Sequence, residues 1–155
     1  MYLNKNKISE IDLSLCPELI EVNVEMNNIS CLDVSKNTNL HVIAMMMNHV
    51  AELDLSNNAE IEELYLAANE FTEIPDVLLP HKVKVLSLRD NKISDLCELA
   101  KIKWMSSLDT ITLFGNPFCD VNNIEFIEAL RKNITKDVQN VRLRSLDEND
   151  VEIVR

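Results

Sequence analysis

Apolar residues recur along this chain at fixed offsets before one polar residue, asparagine. Asn6, Asn27, Asn48, Asn69, Asn91 and Asn116 follow one another at steps of 21, 21, 21, 22 and 25 residues. Leu19, Val22 and Val24 precede Asn27, and Leu40, Ile43 and Met45 precede Asn48. Ile61, Leu64 and Leu66 stand before Asn69, Val83, Leu86 and Leu88 before Asn91, and Leu108, Ile111 and Leu113 before Asn116. Two residues after each asparagine another apolar side chain follows: Ile8, Ile29, Val50, Phe71, Ile93 and Phe118. The last two apolar positions of each block alternate with the period of a strand buried on one face. The asparagine predicts a turn in which its amide bonds free backbone groups of its own and the adjacent unit. No such block can bury its apolar face alone, so the units are expected to stack, strand beside parallel strand.

The segments between blocks divide the chain. Residues 11–14, 32–35 and 53–56 repeat an apolar-Asp-apolar-Ser pattern at a 21-residue step, which predicts short extended returns. After Asn69 the return contains Pro75 and Pro80, and after Asn91 it lengthens to residues 94–107. That longer stretch predicts a short helix with Leu96, Leu99, Ile102 and either Trp104 or Met105 turned inward. Residues 121–134 place Ile124, Ile127 and Leu130 on one helical face, with Ile134 following, and Val141 and Leu143 alternate as a final strand.

The block reads LxxLxLxxNxL, five times over, with a partial copy at residues 1–8. It resembles the leucine-rich repeat family over residues 1–118, and the 21-residue steps resemble its short-repeat class. The resemblance implies an α/β fold: a leucine-rich repeat solenoid with a parallel β-sheet on the concave face and short extended or helical returns on the convex face. Residues 119–155 would form a C-terminal helix–strand cap. Residues 116–120, the helix after them and the closing Arg-Ser-Leu-Asp at 144–147 resemble the cap of intracellular leucine-rich repeat proteins. Such caps are found in phosphatase-1 regulatory subunits, spliceosomal A-prime proteins and mRNA-export receptors, and residues 97–120 resemble the last of these most. The resemblance implies an intracellular protein, cytoplasmic or nuclear. Met1 falls in mid-repeat, so the first unit is expected to be continued in a longer chain or covered by a partner.

Charge sharpens the functional expectation. The chain has 155 residues, 15 Lys plus Arg against 26 Asp plus Glu, and a net charge of −11. Residues 1–80 hold three basic and fourteen acidic side chains, whereas residues 81–155 hold twelve of each. The first half should repel a phosphate backbone and attract a basic partner. No apolar run approaches the ~20 residues of a membrane helix, and residues 1–20 lack a signal-peptide core. Cys16, Cys31, Cys97 and Cys119 have no zinc spacing and are expected as reduced, core-type thiols. A Gly-rich phosphate loop, a nucleophile elbow and an HExxH motif are all absent from the sequence, so the expectation is a protein without enzymatic activity, cofactor or metal. Asp12, Asp33 and Asp54, flanked by Glu10, Glu52 and Glu73, recur on the convex side and are expected as a solvated column rather than a cation site.

Candidate binding residues come from positions that project from the sheet and are not needed by the core. Met26, Val42, Ala44, Met46, Met47, Tyr65, Ala67 and Ala68 are expected to form one apolar patch, rimmed by Glu21, Glu25, Glu62 and Glu63. A contiguous apolar patch marks a binding surface; methionines make it adaptable and a tyrosine anchors it. The leading expectation is therefore a protein-interaction scaffold that binds a basic, partly apolar segment on the concave face. Phe114 is a second candidate, open to the C-terminal cap. Lys82, Lys84, Arg89 and Lys92, with Arg131, Lys132, Lys136, Arg142 and Arg144, are expected as mixed surface rather than a nucleic-acid path. The alternatives are association with a ribonucleoprotein in RNA processing or export, through those basic residues, and a targeting segment of a larger enzyme.

Overall fold

The computed structural model describes residues 1–76, 82–119, 125, 128–129 and 142–143. Among these residues six strands form one sheet: β1 (Glu21–Asn23), β2 (Val42–Ala44), β3 (Glu63–Tyr65), β4 (Val85–Ser87), β5 (Thr110–Thr112) and β6 (Arg142–Leu143). They lie in chain order and every neighbouring pair is parallel. Tyr2 adds a bridge to Asn23, so the partial first copy continues the same ladder. Each strand is only two or three residues long because the chain must turn again at the asparagine.

The registers leave no slip between units. Glu21, Val42, Glu63, Val85 and Thr110 stand opposite one another, as do Asn23, Ala44, Tyr65, Ser87 and Thr112. Between these rows Val22, Ile43, Leu64, Leu86 and Ile111 point inward and are buried. The residues two further on, Val24, Met45, Leu66, Leu88 and Leu113, are buried as well, with Ile29, Val50, Phe71, Ile93 and Phe118 behind the asparagines. Leu13, Leu32, Val34, Leu53 and Leu55 complete the core from the returns. A side chain of this size contributes roughly 1.5–3 kcal/mol on full burial, so the repeated columns supply most of the driving force.

From Asn27 onward the asparagines of this column are buried, whereas Asn6 is exposed. Asn48 donates to Val24 O and Met45 O at 3.0 and 2.9 Å, and its Oδ1 accepts from Ile29 N at 3.0 Å. Asn69 repeats the arrangement on Met45 O, Leu66 O and Val50 N. Each amide thus ties its own turn to the preceding unit. The residue just before the asparagine takes a left-handed backbone in every unit: Lys5, Met26, Met47, Ala68, Asp90 and Gly115 have φ between 53° and 74°. Only at position 115 is that residue a glycine. A Cβ there would stand 2.0 Å from Asp90 Oδ1 and 3.0 Å from Asp90 Cα.

A second asparagine column runs through the returns. Asn37 donates to Leu13 O and Cys16 O at 3.0 and 2.7 Å, and Asn58 to Val34 O and Asn37 O at 3.1 and 2.9 Å. The serine-linked aspartates on the convex side also serve the backbone. Asp12, Asp33 and Asp54 accept from the amides of Ser14, Ser35 and Ser56 at 2.8–2.9 Å.

The long return forms a 3₁₀ helix, Leu96–Trp104, capped by Asp95, whose side chain accepts from Cys97 N. Leu99, Ile102 and Met105 are buried and Leu96 is half-buried, so the inward stripe runs at every third residue. That spacing matches three residues per turn, and it selects Met105 over Trp104, which is 57% exposed. The thiols depart from expectation. Cys31 and Cys97 are exposed and Cys16 and Cys119 are half-buried, and no disulfide joins the four. Cys31 and Cys97 lie on the returns, at positions whose side chains point to solvent. Leu143 stands in β6 as expected; Ile124, Ile127, Leu130, Ile134 and Val141 lie outside the described residues.

Candidate functional site

The candidate site is the solvent face of β1, β2 and β3 with the turns that follow them. Met26 and Met47, which occupy the left-handed position of consecutive units, are 42% and 54% exposed. The left-handed backbone swings their side chains out of the core, where Val24 and Met45 take the buried places. Met46, Val42 and Tyr65 are half-buried, and so are Glu21, Glu25 and Glu63.

Two members of the expected patch lie lower than anticipated. Ala44 and Ala67 are 5% and 9% exposed, and the methyl group of Ala44 stands between the longer Asn23 and Tyr65 of the adjacent strands. They are buried and add little contact area. Ala68 is half-buried at its left-handed position.

The acidic rim also divides. Glu62 forms an ion pair with Lys84 at 2.7 Å and leaves the rim. Glu21 and Glu63 hold tyrosines instead: Tyr2 OH donates to Glu21 Oε2 and Tyr65 OH to Glu63 Oε2, both at 2.7 Å. The Glu63 bond, then burial, then the charges of Glu63 and Glu25, push the Tyr65 hydroxyl up to about 12. Tyr2 is raised in the same direction by its bond to Glu21. Tyr65 is therefore a neutral hydrogen-bond donor at any physiological pH. Among the described residues, no Lys, Arg or His lies within ion-pair distance of Glu21, Glu25 or Glu63.

The basic residues of the next units are occupied. Lys82 pairs with Glu60, and Lys92 with Glu70 at 2.9 Å, each reaching back one unit. Arg89 pairs with its neighbour Asp90 at 2.9 Å. Sequence reasoning placed these side chains on mixed surface but missed the pairings, whose signal is a Lys 22 residues after each Glu. Lys101 is a further addition. It pairs with Glu98 and Asp76 at 3.0 Å and donates to Ile74 O, while Glu98 accepts from Ile74 N. These bonds fasten the 3₁₀ helix to the preceding return. Phe114 is half-buried; Arg131, Lys132, Lys136 and Arg144 lie outside the described residues.

No group of three or more His, Cys, Asp or Glu side chains among the described residues is arranged to hold a metal ion. Among them no helix is long and apolar enough to cross a membrane. The face carries exposed and half-buried apolar side chains beside carboxylates, with the Tyr65 hydroxyl held on Glu63.

No family model matches the sequence, and no curated protein matches it. Among solved structures the chain is similar to the functional domain of InlJ from Listeria monocytogenes, described as including a cysteine ladder. The TM-score is 0.71 at 22% identity, covering 95% of this chain and 36% of that one. It is also similar to a leucine-rich repeat protein of Leptospira interrogans, with a TM-score of 0.60 at 17% identity, covering 86% of this chain and 41% of that one. The chain thus has the leucine-rich repeat fold, a parallel-strand solenoid. It spans less than half the length of either of these structures. Its own buried column in the returns is asparagine at Asn37 and Asn58, with Cys16 standing 21 residues before.

Proposed function

We propose that this chain is a non-enzymatic protein-interaction scaffold, docking a basic, partly apolar segment of another protein on the concave face over its first three full units. The observation that carries this reading is the pair Met26 and Met47, exposed side by side on consecutive units and bordered by Glu21, Glu25 and Glu63. Exposed apolar surface beside unpaired carboxylates favours a partner that brings both an apolar anchor and a cation. Glu60, Glu62 and Glu70 of the third of these units hold lysines from the next, whereas Glu21, Glu25 and Glu63 have no ion pair among the described residues. Residues 119–155 would cap the solenoid, with β6 carrying the sheet past β5. Exposed Cys31 and Cys97 suit a reducing, intracellular compartment.

A pull-down from native lysate with and without RNase tests the proposal, comparing wild type with a Met26→Glu/Met47→Glu variant. Both side chains point to solvent, so the variant should keep its melting temperature within a few degrees. Protein partners lost with the variant and retained after RNase are the expected result. Partners lost with RNase but kept by the variant would move the function to a ribonucleoprotein and away from this face.

A further inference from the structure

Resting on the concave-face reading, the register of the strands specifies the shape of the docked segment. Glu21, Val42, Glu63 and Val85 stand opposite one another across β1 to β4, so one row alternates acid, apolar, acid, apolar. Neighbouring strands lie about 4.8 Å apart, which puts the two carboxylate-bearing residues about 10 Å apart with Val42 between them. Each carboxylate is steadied through Oε2 by a tyrosine hydroxyl, which leaves Oε1 open. The N-terminal ammonium bonds the main-chain oxygen of Glu21 at 2.6 Å rather than its carboxylate. Beside the row the surface dips at buried Ala44 and rises again at Met46 and Met47.

Three regular backbones can be laid along this row. One face of an α-helix, read at i, i+3 or i+4, i+7 and i+10 or i+11, advances about 5.3 Å per step. An extended strand presents same-face side chains about 6.7 Å apart. Over the three steps of the row the helix drifts by about 1.4 Å and the strand by about 5.7 Å. A polyproline II segment repeats its face at about 9.3 Å, which reaches both carboxylates but leaves nothing over Val42. We infer that the partner segment is an amphipathic α-helix lying across the strands, with Lys or Arg at i and i+7 over Glu21 and Glu63. Its apolar residues at i+3 or i+4 and at i+10 or i+11 cover Val42 and Val85.

The test uses labelled alanine-based peptides titrated against the full chain by fluorescence anisotropy. All carry the same number of leucines and two lysines, spaced three, five or seven residues apart, and a one-lysine peptide and a proline-interrupted version of the seven-spaced peptide accompany them. The seven-spaced helix should bind about fivefold more tightly than the others, the range expected of exposed ion pairs. Glu21→Gln and Glu63→Gln should each remove that advantage, bringing the seven-spaced peptide down to the affinity of the one-lysine peptide. Met47→Glu should weaken every peptide. Binding that depends on Met47 but ignores spacing, or that survives the proline, overturns the helical register and leaves the docking face standing. Failure of every peptide to bind overturns both.

Discussion

A single amide decides how each unit joins the next. Asn48 satisfies two carbonyls and one amide from two units inside the core, and nothing smaller can reach all three. Asn48→Ala would strand those groups away from water, at a cost on the order of 2–3 kcal/mol. Asn6→Ala removes bonds only to Leu3 O and Asn4 O at an exposed turn and should cost well under half as much. Urea denaturation of both variants checks this, and equal losses would mean the ladder is not the organising contact. This column was legible in the sequence because the need for an amide never varies. The left-handed column beside it was not, since Lys5, Met26, Met47, Ala68 and Asp90 share a backbone state that only Gly115 advertises. What exposes Met26 and Met47 is this conformation, so the sequence placed them in the patch through strand periodicity alone.

Among the elements, the returns combine buried aliphatic side chains with local acceptors. The Ser14 side chain and then its amide lower the Asp12 carboxyl, and the amides and then the side chains of Ser35 and Ser56 lower Asp33 and Asp54, all below the usual carboxylate value of 3.8. A lowered folded-state value means the stabilisation is present above about pH 4 and is lost as pH falls through the folded value. A triple Asp→Asn variant keeps the acceptor oxygen and removes the titration. Its melting temperature should fall less between pH 5 and pH 2.5 than that of the wild type, and parallel curves would show that these turns do not feel the charge. Reading the column as merely solvated missed this, because a turn acceptor and a bare surface acid look alike without coordinates. The 3₁₀ helix offers the opposite lesson. Its stripe at residues 96, 99, 102 and 105 already has a period of three, and a helix of 3.6 residues per turn is what left Trp104 in contention.

Across the whole molecule, strands touch only their neighbours in chain order, so stability should pass from unit to unit. The Glu-to-Lys pairs obey the same rule: all three cross the junction between the third and fourth full units, while Glu21, Glu25 and Glu63 have no ion pair among the described residues. The sequence showed the charge asymmetry but not this division, because pairing depends on which side of a turn a side chain leaves. A core cavity in the middle tests how far coupling extends. Leu64 is buried at the centre of β3, and Leu64→Ala should cost about 2–5 kcal/mol. In native-state hydrogen exchange the loss should concentrate at Met45 and Leu66, whose amides bond Tyr65 O and Ser87 O. Leu88, bonded to Thr112 O one unit further on, should lose less protection. Equal loss at all three amides would show that the units open together as one block. The docking face would then respond as a whole to a change in any unit, whereas graded loss would let a partner on β1 to β3 order those units while leaving β5 nearly untouched.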